Sequence, residues 1–141
     1  VIEPIAIPPK VALPPVTPPL DLEATRIVGP HEPVPTFVLQ FSTGESYTVV
    51  GSGLAGRNPR PEPGEVVDHL VTIVDPGRSV SKTHLEFGQT DGVFWVSDRF
   101  SGNGTVIHGD DGERRACAPG RRYPITRGTR IELGEQFLIV N

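Results

Sequence analysis

The chain is poor in cysteine, methionine and aromatic residues: one cysteine, no methionine and one tryptophan among 141 residues, with aromatics at 6%. A single thiol, Cys117, cannot close an internal disulfide and argues against a thiolate metal site. The four histidines, His31, His69, His84 and His108, lack the paired spacing of zinc ligands. Basic charge is also short. A formal net charge of −4 argues against the broad basic face that a sequence-independent nucleic-acid binder needs. There is no apolar run of about 18 residues, so this fragment is not expected to span or contact a membrane. Helical periodicity is missing, as are internal repeats. Ser81, His84 and Asp98 can be strung into a nucleophile triad on paper. No Gly-x-Ser-x-Gly elbow accompanies them, and residues three apart on a strand point to opposite faces. Neither an enzyme nor a cofactor is therefore expected.

Proline, by contrast, is abundant and local. Ten of the 16 prolines lie in the first 35 residues, including Pro8-Pro9, Pro14-Pro15 and Pro18-Pro19. Such a segment cannot donate a regular hydrogen-bond ladder and favours extended polyproline II. Residues 1–35 are read as a proline-rich extended linker and 36–141 as a folded domain. The start at Val1, running straight into this stretch, is read as the start of a piece of a longer protein.

From Pro35 the pattern is short β-rich runs bounded by turn residues. These are Phe37–Phe41, Tyr47–Val50, His69–Val74, Thr83–Phe87, Val93–Val96, Thr105–Ile107, Tyr123–Ile125, Arg130–Leu133 and Gln136–Val140. Frequent turns between short strands indicate an all-β sandwich or barrel. Gly134-Glu135 suits a tight hairpin. Trp95, between Phe94 and Val96, is expected in the core. Asp110-Asp111-Gly112-Glu113 has the wrong spacing for a calcium loop and is read as an exposed turn. Arg114-Arg115 and Arg121-Arg122 are expected on solvated loops.

Three polar clusters interrupt the strands: Gly56-Arg57-Asn58-Pro59, Ser79-Val80-Ser81-Lys82-Thr83-His84 and Ser101-Gly102-Asn103-Gly104-Thr105. Arg57 offers a planar, always-charged fork suited to phosphate. Ser81 offers a hydroxyl, and Lys82 a cation with backbone amides around it. Loops at one end of a sandwich can gather such groups from distant positions. In order and spacing the clusters resemble the forkhead-associated (FHA) family, whose pattern is Gly-Arg, then Ser-Arg-x-His, then Ser-x-Asn-Gly-Thr. The resemblance covers about residues 36–141 and extends to FHA modules of multidomain actinobacterial proteins.

The resemblance implies a β-sandwich of two mainly antiparallel sheets that binds phosphothreonine peptides in Ser/Thr-kinase signalling. It implies that Arg57 and Ser81 hold the phosphate, with Lys82 and Thr83 beside them, and that Asn103, next to Gly102, holds the ligand main chain. His84, Gly56, Gly104 and Thr105 would support the site. Two positions depart from the family. Lys82 replaces arginine, keeping charge but losing the fork, and Gly102 stands where many members carry threonine or serine. The implied location is cytoplasmic, where kinase and ATP meet, and some such modules sit at the cytoplasmic end of a membrane protein. The other reading of the same fold is a phospho-independent interaction or oligomerisation scaffold.

Asp21-Leu22-Glu23-Ala24-Thr25-Arg26-Ile27-Val28 breaks the proline pattern. Thr25 resembles the acid-flanked threonines that bacterial Ser/Thr kinases modify in tails of FHA proteins, with aliphatic Val28 three residues on. The ten residues from Thr25 to Pro35 reach about 33 Å when extended, so docking in cis is geometrically open.

Overall fold

The structure is a computed structural model that describes residues 34–141. Thr25 and nearly all of the expected linker lie outside the described residues. Eleven strands follow: β1 Phe37–Phe41, β2 Ser46–Val49, β3 Gly53–Gly56, β4 His69–Thr72, β5 Leu85–Thr90, β6 Val93–Asp98, β7 Thr105–His108, β8 Arg114–Ala116, β9 Arg122–Ile125, β10 Arg130–Leu133 and β11 Gln136–Val140. No helix occurs among the described residues, hence none long and apolar enough to cross a membrane.

The strands form a six-stranded sheet, β8-β7-β10-β11-β1-β2, and a five-stranded sheet, β9-β6-β5-β3-β4. Every pairing is antiparallel except β3 with β4. Alternation places Phe37, Leu39 and Phe41 of β1 and Ile131 and Leu133 of β10 inward, opposite Ala55, Phe87, Phe94 and Val96 of the other sheet. Gly134-Glu135 is a hairpin as expected, with Leu133 opposite Gln136 and Gly134 at φ +64°.

Two strands escaped the sequence reading. In β3, Gly-Leu-Ala-Gly lacks β-branched residues, yet all four are buried, because long-range pairing overrides weak propensity. Arg114-Arg115 lies not on a loop but in exposed edge strand β8, and Arg122 opens β9. The Asp110–Glu113 stretch is the exposed turn between β7 and β8, where Glu113 N–H donates to Asp111 Oδ1 at 3.0 Å.

Trp95 also needs correction. It is buried but faces away from the inter-sheet core. Its neighbours Phe94 and Val96 both point inward, so the period of two sends Trp95 to the outer face. There it lies flat over Gly88, and the Arg122 guanidinium covers it 3.8 Å from the ring centroid. A Cβ at position 88 would sit 2.5 Å from Trp95 Cζ2 and 2.9 Å from Cε2. Gly88→Ala is expected to lift the indole off the sheet and cost about 1–3 kcal/mol. Lower Tm and red-shifted emission from this sole tryptophan would show it, and unchanged emission would refute the placement.

Candidate functional site

The parallel β3–β4 pair dictates where loops emerge. A parallel connection must cross over, usually with a dozen or more residues, so the chain leaves β3 at Arg57 and returns only at His69. Register then aligns the strand ends. Gly56 sits opposite Thr72, Ala55 opposite Leu85, and Leu85 opposite Asp98, while Leu133 sits opposite Thr105. The start of segment 57–68, segments 73–84 and 99–104 and the 134–135 turn therefore share one end of the sandwich, while Asp68 reaches the other end beside Ser52.

There the three polar clusters meet on Ser79–Lys82. Arg57 N–H donates to Ser81 O (3.1 Å), and Asn58 N–H to Lys82 O (3.0 Å). Arg57 Nε donates to Val80 O at 2.5 Å, which fixes the side chain while leaving both Nη groups without a partner among the described residues. From the other side, Gly102 N–H donates to Ser81 Oγ (2.9 Å) and Asn103 Nδ2 donates to Ser79 O (2.8 Å). Ser81 Oγ thus accepts from the third cluster, and its own hydrogen remains to donate. Arg57 and Ser81 are half-buried, whereas Lys82, Gly102 and Asn103 are exposed. Thr83 turns elsewhere, its Oγ1 accepting from Arg60 N–H at 3.0 Å.

A buried frame holds these loops. His84 is fully enclosed. Its Nδ1 accepts from Ser81 N–H at 3.0 Å, so Nε2 carries the proton and donates to Gly104 O at 2.9 Å. Asp98 Oδ1 accepts from Ser101 Oγ (2.5 Å) and Thr105 Oγ1 (2.6 Å), and Oδ2 from Ser101 N–H (3.1 Å). Ser101 Oγ in turn accepts from Gly104 N–H. His84 therefore bonds the backbone of Ser81 and not its hydroxyl, so Ser81, His84 and Asp98 do not form a nucleophile triad.

A family profile described as FHA domain matches residues 54–134. The chain belongs to the FHA domain family. No protein of curated function matches it. Among solved structures, an FHA domain reported for phosphothreonine-dependent FHA domain interactions has 25% identity and a TM-score of 0.54, over 76% of this chain and 96% of its own. The FhaA FHA domain, complexed with the intracellular domain of Rv3910, has 27% identity and a TM-score of 0.54, over 74% and 99%. The FHA domain of CT664 from Chlamydia trachomatis shares the fold at 19% identity, with a TM-score of 0.57 over 75% and 96%.

Sequence reading missed the second anchor of this FHA domain, Asp75. It is buried and accepts from Val80 N–H (2.7 Å), Ser79 Oγ (2.9 Å) and Gln136 Nε2 (3.1 Å). Burial pushes its carboxyl up, but the bonds from Val80, Gln136 and Ser79 outweigh that and hold it below its ordinary value. Asp75-Pro76-Gly77 was readable as a turn signal, and Arg78 N–H does bond Asp75 O. What was not readable is that the turn's carboxylate would hold the loop carrying Ser81. Gly102 leaves room, since a Cβ there would lie 3.8 Å from Ser81 Oγ.

Burial pushes the His84 ring below its ordinary value, against the opposing pull of Gly104 O, Asp98 and Asp75. In the unfolded chain the ring takes its proton at about 6.5. The unfolded state then binds more protons, so this contribution is full above that pH and is lost as pH falls through the folded value. The His84 ring should titrate below the ordinary histidine value of about 6.5, with thermal stability declining below about that pH. A His84 ring that titrates at or above the ordinary value would overturn this.

Proposed function

We propose that this domain, residues 36–141, binds a phosphothreonine-bearing segment of a partner protein, downstream of a Ser/Thr kinase in a compartment that holds kinase and ATP. The observation that carries the reading is the meeting of three loops on Ser79–Lys82, with the Arg57 Nη groups and the Ser81 hydroxyl hydrogen unspent among the described residues. A phosphothreonine brings nearly two negative charges and three acceptor oxygens. Arg57 would take two of these through its fork and Ser81 the third, with Lys82 adding charge. Asn103, pinned by Ser79 O, keeps its Oδ1 for the ligand main chain. Gly56, His84, Gly104 and Thr105 hold the loops in place. The solved FHA domain reported for phosphothreonine-dependent interactions supports the reading by similarity.

The same site would accept the chain's own Thr25 once phosphorylated, making the domain self-regulating. Its short tether corresponds to an effective concentration on the order of millimolar.

Charge-assisted phosphate bonds are worth about 1.5–3 kcal/mol each, so Arg57→Ala should weaken phosphopeptide binding by about tenfold or more. Calorimetry with phosphothreonine peptides selected from a random library, beside their unphosphorylated forms, tests this. Indifference to both dephosphorylation and Arg57→Ala would instead mark a phospho-independent scaffold. Amide shifts of the whole chain before and after kinase treatment test the self-docking: an unchanged Arg57 loop refutes it.

A further inference from the structure

A sheet edge is a template for another strand unless its sequence blunts it. In this domain β8 carries Arg114 and Arg115, and β9 carries Arg122 and Pro124. Charge and proline guard both, while the edge strand β2, Ser46–Val49, carries neither. The edge strand β4, His69-Leu70-Val71-Thr72, has no lysine, arginine or proline. His69 and Ile73 donate their N–H groups to Ser52 O and Gly56 O on the β3 side. Alternation therefore turns the backbone groups of Leu70 and Thr72 to the open edge. Among the described residues only Tyr47 Oη reaches them, at 3.4 Å from Thr72 O. Leu70 and Val74, on one face of this segment, are 52% and 54% exposed.

Beside that edge lies a groove of about 430 Å³ lined by Asn58, Pro59, Arg60, Pro61, Leu70 and Thr72. It lies next to the phosphate site: Asn58 follows Arg57, and Thr72 is paired with Gly56. A strand added to β4 would run about 10 Å from Gly56, two strand spacings away. An extended chain crosses that distance in about three to five residues. Arg60, exposed at the rim, has no ion pair among the described residues.

We propose that β4 and this groove bind a second, extended segment of the partner chain that carries the phosphothreonine. That segment pairs with the Leu70–Thr72 edge as an added strand. It alternates apolar side chains, one of which enters the groove beside Leu70, and it places an acidic residue near Arg60. The phosphothreonine then supplies the switch and the added strand the selectivity. This inference rests on the phosphothreonine reading above.

The test compares two random phosphothreonine peptide libraries, a short one varied only next to the phosphothreonine and a long one extended by about ten residues, enough for the crossing and a strand's length. Selected long peptides should bind at least about tenfold tighter than their own truncated cores, a difference of about 1.4 kcal/mol. They should also be enriched in alternating apolar residues. Leu70→Glu should abolish that advantage and leave short-peptide affinity unchanged. Thr72→Pro should do the same, since it removes an N–H that faces away from β3 and breaks no ladder bond. Leu70→Glu alters an exposed side chain, so it decides the matter if Thr72→Pro does not fold. Equal affinity for long and short peptides, both lost on dephosphorylation, overturns this inference alone. Binding by neither length overturns the phosphothreonine reading and this inference with it. Self-association that Leu70→Glu removes, with equal peptide affinities, assigns the edge to a second copy of the chain and overturns it also.

Discussion

Gly56→Ala should destabilise the domain by about 3 kcal/mol and abolish phosphopeptide binding together with it. Gly56 ends β3 and is buried. A Cβ there would fall inside the contact radius of the Lys82 carbonyl oxygen, with the Lys82 carbonyl carbon 2.7 Å away and Ser81 O 2.8 Å away. These are backbone atoms, so no rotamer change relieves the clash. The strand must separate from the Ser81–Lys82 segment, which breaks the Arg57 N–H to Ser81 O and Asn58 N–H to Lys82 O bonds. Arg57 and Ser81 would then lose their common frame. Urea denaturation and peptide titration read the two effects. A variant that kept wild-type stability and affinity would show that this close approach does not build the site.

Asp98→Ala should cost about 3 kcal/mol or more, because a buried donor left without an acceptor costs about 1–3 kcal/mol. Asp98 is 1% exposed and accepts three hydrogen bonds, from Ser101 N–H, Ser101 Oγ and Thr105 Oγ1. Alanine leaves all three donors in a space too closed for bulk water. Asp98→Asn should cost less. Its remaining oxygen can still serve Ser101 Oγ and Thr105 Oγ1, while its amide opposes the Ser101 N–H. Hydrogen exchange should accelerate first at Ser101 and Gly104, since Gly104 N–H depends on Ser101 Oγ. A change within about 0.5 kcal/mol, typical of surface sites, would mean that the loop is held by other contacts.

These two residues show why part of the site was legible and part was not. Arg57, Ser81 and Asn103 could be picked out because each stands in a polar cluster that breaks an otherwise alternating pattern. Gly56 was given a supporting role only through the family resemblance. Its need to be glycine comes from a backbone segment that lies 25 residues further along the chain. Asp98 was noticed for a triad it does not form. The sequence shows a serine, a histidine and an aspartate, but not that His84 Nδ1 is taken by a backbone N–H. Asp75 stands in no polar cluster and went unmarked, yet its carboxylate anchors the Ser79–Ser81 loop.

What the sequence by itself determined is the all-β class, most of the strands and the three clusters, because side-chain alternation and turn residues are local properties. The face taken by Trp95, the strands β3 and β8, and the meeting of the clusters on Ser79–Lys82 were decided by the tertiary structure. The meeting of the clusters and the place of β3 depend on register between strands far apart in the chain, Ala55 opposite Leu85 and Leu133 opposite Thr105, and the seat of Trp95 depends on Gly88 opposite it in the neighbouring strand. Register is set by the hydrogen-bond ladder and by core packing acting together. A shift of one residue would turn every core side chain outward, so the fold fixes the alignment firmly, though no single strand encodes it.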